Sequence, residues 1–260
     1  MTAIHLFPAA VAFLAAFVAG AINSVAGGGT LVSFPALVWL GLPSVTANAT
    51  STVAIVPGSL GGMWGFRREL RTTAPRMMAL IAPSLLGGIS GALLLQRTAP
   101  GVFDKLVPYL IAFATILFMV QDRVQRALGI DASGAGPKHE STRWLVGAML
   151  FQFCVGVYGG YFGAGIGILM LAALSILGLS DIYQMNGLKN AFAFCINGIA
   201  AVYFIWAHMV NWPYVAVMAV GAIIGGYGCA GVARRLGRTA VRRAVIVIGW
   251  IMAVSLFIKK

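Results

Sequence analysis

The chain is 260 residues long, 60% hydrophobic and only 9% charged, whereas a soluble domain carries about 25% charged residues. A water-soluble fold of this size could not hide that much apolar surface. The net charge of +12 would point to nucleic acid in a soluble protein, yet no basic helix or aromatic stacking platform accompanies it, so no nucleic-acid partner is expected.

A helix needs about 20 apolar residues to span the hydrocarbon core of a bilayer. The first such run, Leu6–Val25, has no basic leader before it and reads as a retained helix rather than a cleaved signal. A short run, Thr30–Leu42, follows, then Ala49–Phe66, Met77–Leu95 and Leu106–Gln121. After a polar stretch come Trp144–Tyr161 and a second short run, Ile166–Leu179. Leu188–Ala207, Tyr214–Ala233 and Ala244–Ile258 complete ten segments. The first lysine or arginine is Arg67 and the first carboxylate Glu69. Thirteen of the 18 basic residues fall in three intervals, 67–76, 122–143 and 234–243. Ten segments put all three on one face, which the positive-inside rule makes cytoplasmic. The expected plan is an all-α integral membrane protein, multi-pass in the inner (cytoplasmic) membrane, with about 8–10 transmembrane or re-entrant helices. It forms one domain over residues 1–260.

The sequence repeats internally. GAINSVAGGGTLVSFPALVWLGL from Gly20 resembles GVYGGYFGAGIGILMLAALSILGL from Gly156. Gly20, Gly27 and Gly29 align with Gly156, Gly163 and Gly165, and after one inserted residue Gly41-Leu42 meets Gly178-Leu179. Further on, Asn48–Thr52 lies opposite Asn186–Asn190. Equivalent points are five segments apart, an odd number, so the copies face opposite ways. The expectation is an inverted repeat, 6–121 and 144–258, joined by a basic cytoplasmic loop at 122–143. That is a recurring plan of secondary transporters, whose sites lie where short, glycine-interrupted segments match in both halves.

Two such segments are present. Thr30–Leu42 is about 13 residues, roughly 20 Å of helix at 1.5 Å per residue, too short for a core of about 30 Å. Ile166–Leu179 is similar. Each follows a glycine break, Gly27-Gly28-Gly29 and Gly163-Ala164-Gly165-Ile166-Gly167. Two hairpins dipping in from opposite faces are expected. A helix starting inside the bilayer presents unpaired N–H groups and a positive dipole end, which suits a small anion. Tight helix packing is the competing use of these glycines. Around the breaks lie Asn23 and Ser24, then Asn48, Thr50, Ser51 and their neighbours Thr46 and Thr52. Asn186, Lys189, Asn190 and Asn197 lie in the second half, with Gln152 nearby. Lys189 is the only base in this cluster. It can touch substrate, or snorkel to the headgroups. The amides and hydroxyls can equally serve as interhelical hydrogen bonds.

No carboxylate lies within an apolar run, which argues against a buried proton relay or a cation site. His5, His139 and His208 are far apart and form no metal constellation. Cys154, Cys195 and Cys229 form no C-x-x-C pair. No G-x-x-x-x-G-K-[ST] loop is present, and no cofactor is expected. An enzyme is disfavoured because no acid–base pair shares an apolar region. Proton coupling remains open if the proton travels on the substrate.

The first break resembles the sulfite exporter TauE/SafE family, also called the toluenesulfonate uptake permease family. Its glycine-rich segment, GGG-x(5)-P-x-L, is met by Gly27, Gly28, Gly29, Pro35 and Leu37. Gly41-Leu42 follows, then an A-x-A/G-T-S stretch at Ala47, Ala49, Thr50 and Ser51. The second copy, with GGYFGAGIGILM and NGLKN, is similar to the family's second repeat, but Leu171 or Ala172 stands where the proline would be. The resemblance covers nearly the whole chain. It implies a secondary transporter of small sulfur oxyanions or organosulfonates such as sulfite, sulfoacetate or thiosulfate. Export is the leading direction, and an uptake permease for another small organic anion is the alternative. From their place at the two breaks, the candidate substrate-binding residues are Asn23, Ser24, Gly27, Gly28, Gly29, Asn48, Thr50, Ser51, Gly163, Gly165, Asn186, Lys189 and Asn190.

Overall fold

The computed structural model describes residues 6–25, 27–65, 67, 70, 75–127, 142–176, 179, 182–236 and 238–258. Among the described residues there is helix and no strand, as expected where lipid supplies no hydrogen-bond partners and a helix pairs its own backbone. The chain forms α1 (Leu6–Val25), α2 (Thr30–Trp39), α3 (Ser44–Gly65), α4 (Pro75–Met78), α5 (Ile81–Arg97) and α6 (Pro100–Ala127). It continues with α7 (Thr142–Tyr161), α8 (Ile166–Ile176), α9 (Ile182–Trp206), α10 (Trp212–Leu236) and α11 (Arg238–Ile258). The stretches Leu6–Asn23, Pro100–Val120 and Gln184–Trp206 are long and apolar enough to cross a membrane, and shorter apolar helices pack with them. Leu86, Leu94, Val146, Leu150, Val202 and Ile251 are all exposed. Such a coat is out of place in water and suits lipid. The chain is an all-α membrane protein.

The helices overrun the apolar runs. α3 starts at Ser44 rather than Ala49, α6 at Pro100 rather than Leu106, α9 at Ile182 rather than Leu188 and α11 at Arg238 rather than Ala244. Hydropathy marks the part of a helix that sits in hydrocarbon, whereas the polar first turns are helical too. The expected loop at 234–243 is therefore helix on both sides of residue 237. Likewise α6 runs to Ala127, and of the expected loop 122–143 residues 128–141 lie outside the described residues. The fourth predicted segment is divided into α4 and α5. Arg67, Arg123 and Arg243, one from each basic interval, are all exposed.

The two glycine breaks have the same local structure. The Gly27 amide donates to Ile22 O at 3.2 Å and the Gly163 amide to Tyr158 O at 3.1 Å. Gly27 and Gly163 take φ +71° and +79°, the left-handed conformation that ends a helix and that glycine adopts without a Cβ clash. The short helices also end alike: Leu42 donates to Leu37 O and Leu179 to Leu174 O, each at 3.1 Å. α2 folds back along α1. A Cβ on Gly29 would lie 2.8 Å from the Ala19 carbonyl carbon, and the Phe7 and Trp39 rings meet at 6.5 Å.

The packing is arranged in matching pairs. α1 lies on α10 and α7 on α5; α3 packs against α10 and α9 against α5; α2 meets α11 and α8 meets α6. α3 and α9 pack on each other, as do α6 and α11. Exchanging α1, α2, α3, α5 and α6 for α7, α8, α9, α10 and α11 reproduces this pattern. The closest approaches are made by glycine. A Cβ on Gly87 would lie 2.8 Å from Gly156 Cα, one on Gly160 would run into the Gly88 carbonyl, and one on Gly225 into that of Phe17. These are small-residue interfaces in which backbones touch directly.

Candidate functional site

The two breaks meet. A Cβ on Gly27 would lie 3.1 Å from Gly167 Cα, and one on Gly163 would lie 3.6 Å from Asn197 Oδ1 and 3.9 Å from Thr30 Oγ1. Between them is a cavity of about 20 Å³, against the 10–15 Å³ or so that one water needs. Much of its lining comes from positions that align between residues 6–121 and 144–258. Gly27 is matched by Gly163, Thr30 by Ile166, Ile55 by Ala193 and Ser59 by Asn197. Ile55 with Ser59, and Ala193 with Asn197, are spaced i, i+4, so each pair projects from one face of α3 or α9. Pro57 interrupts the backbone pairing of α3 beside that face.

The remaining lining is unmatched. It comprises Asn23, Gly58, Gly167, Lys189 and Asn190, and the charge resides here. Lys189 is 1% exposed. Its stem passes the first break, with Cδ 3.8 Å from a Cβ built on Gly27, and Nζ donates to Asn186 Oδ1 at 3.0 Å. Asn186 is itself only 6% exposed, so both ends of this hydrogen bond are buried. Among the described residues, no carboxylate lines the cavity. Asn190 is 6% exposed, and its Nδ2 makes no hydrogen bond. An unpaired buried donor beside a buried cation favours a negatively charged guest.

The helix starts differ. At α2 the Asn23 side chain caps the break, its Oδ1 accepting from the Gly28 and Gly29 amides at 2.9 Å each. The position equivalent to Asn23 in the second half is Gly159, which has no side chain to do this. Ile168 donates to Gly165 O at 3.1 Å, while among the described residues no acceptor is seen for the amides of Gly165, Ile166 and Gly167.

Of the thirteen residues singled out from the sequence, the cavity collects Asn23, Gly27, Gly163, Lys189 and Asn190, with Asn186 reaching it through Lys189. The others are not among its lining residues. A Cβ on Gly28 would run into the Phe118 ring. Gly29 abuts Ala19, and Gly165, at φ +75°, faces Ala114. Asn48 Nδ2 donates to Tyr161 O at 3.0 Å. Thr50 Oγ1 accepts from the Asn211 amide at 3.0 Å. Ser51 Oγ lies 2.6 Å from Ser33 Oγ. Ser24 is on α1, and its side chain lies outside the described residues. Gln152 bonds Ser84 Oγ at 2.8 Å, away from the cavity. Sequence reasoning missed Ile55, Gly58, Ser59 and Ala193. The alignment that sets Ser51 opposite Lys189 also sets Ser59 opposite Asn197, and two polar residues at equivalent depth were the available signal.

A family model described as sulfite exporter TauE/SafE matches residues 12–256. The chain belongs to this family. The match spans both glycine breaks and every cavity residue. Among similar proteins is a "Probable membrane transporter protein" of Haemophilus influenzae, 26% identical over 248 residues, which are 95% of this chain and 93% of the relative. "Probable membrane transporter protein YfcA" of Escherichia coli K12 is 28% identical over 249 residues, 95% of this chain and 88% of that protein. "Probable membrane transporter protein ORF9" of a Sinorhizobium species is 23% identical over 254 residues, 98% and 93% of the two chains. This TauE/SafE member is a membrane transporter.

Proposed function

We propose that this TauE/SafE protein carries a small sulfur-containing anion, of the sulfite, organosulfonate or thiosulfate class, across the cytoplasmic membrane, and that it exports it by alternating access. The observation that carries the anion reading is the cavity: a buried lysine and an unpaired Asn190 amide between two helix starts, with no carboxylate among the lining residues. The sulfur class rests on the printed description of the family. The alternating-access reading treats 6–121 and 144–258 as duplicated halves of opposite orientation. Two facts support the duplication: identical hydrogen bonds at both breaks and at both short-helix ends, and a packing pattern that survives exchange of the halves. The basic intervals are taken to face the cytoplasm.

Proteoliposomes test this with labelled sulfite, thiosulfate, taurine and acetate, with and without a proton gradient. Saturable counterflow of a sulfur anion is expected. Flux of acetate alone moves the protein to the organic-anion uptake reading. No flux of any sulfur anion defeats the proposal.

A further inference from the structure

Resting on that reading of the cavity, we infer that the anion site is one-sided. The anion's oxygens are held by the α8 start, by Asn190 Nδ2 and by Lys189, while at the α2 start the Asn23 side chain permanently fills the place an anion would take. Duplication provides two helix starts aimed at one cavity. A helix start draws any acceptor oxygen, since its first amides have no partner inside the helix. At α2 the acceptor is built in: Oδ1 of Asn23 lies 2.9 Å from both the Gly28 and the Gly29 amides. At α8 it is missing, because Gly159 occupies the position equivalent to Asn23.

Two further donors come from α9, in the same half of the chain as α8, although the Lys189 stem reaches across to the first break. Asn190, 6% exposed, lines the cavity with a donor that no protein atom accepts. Lys189 stands opposite Ser51 of the first half, whose hydroxyl is paired with Ser33 instead of the cavity. The donors that α8 and α9 bring to the cavity lining include the amides of Ile166 and Gly167, the Asn190 amide and the Lys189 ammonium. That is a set of N–H groups suited to a compact oxyanion with several acceptor oxygens on one centre. A flat monoanion with two oxygens, such as acetate, would use fewer of them. Asn23 acts as a positioning residue for α2 and is not a ligand.

The test is sulfite binding by the full-length protein in nanodiscs, measured by calorimetry together with the thermal midpoint, with acetate and chloride as comparison anions. Asn190→Leu, similar in shape, should weaken sulfite binding about 10- to 100-fold. Asn23→Ser keeps a capping oxygen but loses the amide N–H groups, so its affinity should stay within about threefold of wild type. Asn23→Gly uncaps α2 and should lower the midpoint in the absence of anion. Sulfite should then raise that midpoint more than it raises the wild type's, because an anion takes the vacated place. Sulfite binding that is unchanged by Asn190→Leu, or that falls more with Asn23→Ser than with Asn190→Leu, overturns the one-sided site and leaves the carrier reading intact. A wild type that binds no sulfite overturns both.

Discussion

Lys189→Met keeps the length of the side chain and removes its charge. The lysine is 1% exposed and lines the cavity. A hydrogen bond from a charged donor contributes about 1.5–3 kcal/mol, and each 1.4 kcal/mol or so is tenfold in affinity. Substrate affinity should therefore fall about 10- to 150-fold. Stability should move the other way or not at all. Burying an ammonium carries a desolvation cost that an apolar side chain of similar volume avoids, so such exchanges are often neutral or stabilising. The expected signature is transport lost with the thermal midpoint unchanged or raised. Counterflow of labelled sulfite in proteoliposomes, paired with unfolding in the same detergent, reads both quantities. Unchanged transport would return Lys189 to a structural role. Lost transport with a lowered midpoint would show that the charge is needed by the fold, and the reasoning would fail.

Four other substitutions separate packing from site. Gly160→Ala should cost roughly 1–3 kcal/mol as an overpacked contact, because its Cβ meets the Gly88 carbonyl; Gly147→Ala, with nothing within 4 Å, should be neutral or slightly stabilising in the same unfolding assay. Thr50→Val strips the acceptor from the Asn211 amide and should destabilise by about 1 kcal/mol, while sulfite affinity measured by calorimetry stays at the wild-type value. Gly27→Ala places a Cβ at φ +71° and 3.1 Å from Gly167 Cα; left-handed strain of about 1–2 kcal/mol together with a narrowed cavity should abolish counterflow, and a fully active variant would show that the break is free to shift.

Membrane character, helix content and the two glycine breaks were all legible in the sequence, because apolar length and glycine runs are local signals. The ends of the helices were not, since Ser44, Pro100 and Arg238 extend helices past the hydrocarbon that hydropathy detects. Lys189 and Asn190, which line the cavity, stand out in the sequence because a base and an amide beside a break are rare in apolar sequence. Thr50 and Ser51 stand out for the same reason, and neither lines the cavity. A hydroxyl inside a membrane helix looks functional in sequence, but it can also tie helices together, as Thr50 does to Asn211 and Ser51 to Ser33. Which of the two it does depends on the facing helix, and sequence pattern carries no record of that. Gly28 and Gly29 show the converse. They sit in the most recognisable motif of the chain, yet one is pressed on Phe118 and the other on Ala19.

The glycine contacts also constrain how a carrier of this design can move. α1 belongs to the first half and α10 to the second, yet Gly20, Gly221 and Gly225 bring their backbones into direct contact. α5 and α7 are joined across the halves in the same way by Gly87, Gly91, Gly156 and Gly160. Contacts with no side chain between the backbones cannot slide or tilt without atoms colliding, because close-packed interfaces switch between discrete arrangements rather than deform smoothly. α1 with α10, and α5 with α7, therefore behave as rigid pairs, each joining a helix before residue 128 to one after residue 141. In the carrier we propose, the halves of the sequence are not the moving bodies. Motion has to run between the two glycine-locked pairs, along the α3–α9 contact that lies between them. Ile55, Ser59, Ala193 and Asn197 project into the cavity from those two helices, so a shift along this line changes the cavity walls first. Lys189 and Asn190 ride on α9, so the charge travels with the α5 and α7 side while α3 opens or closes against it.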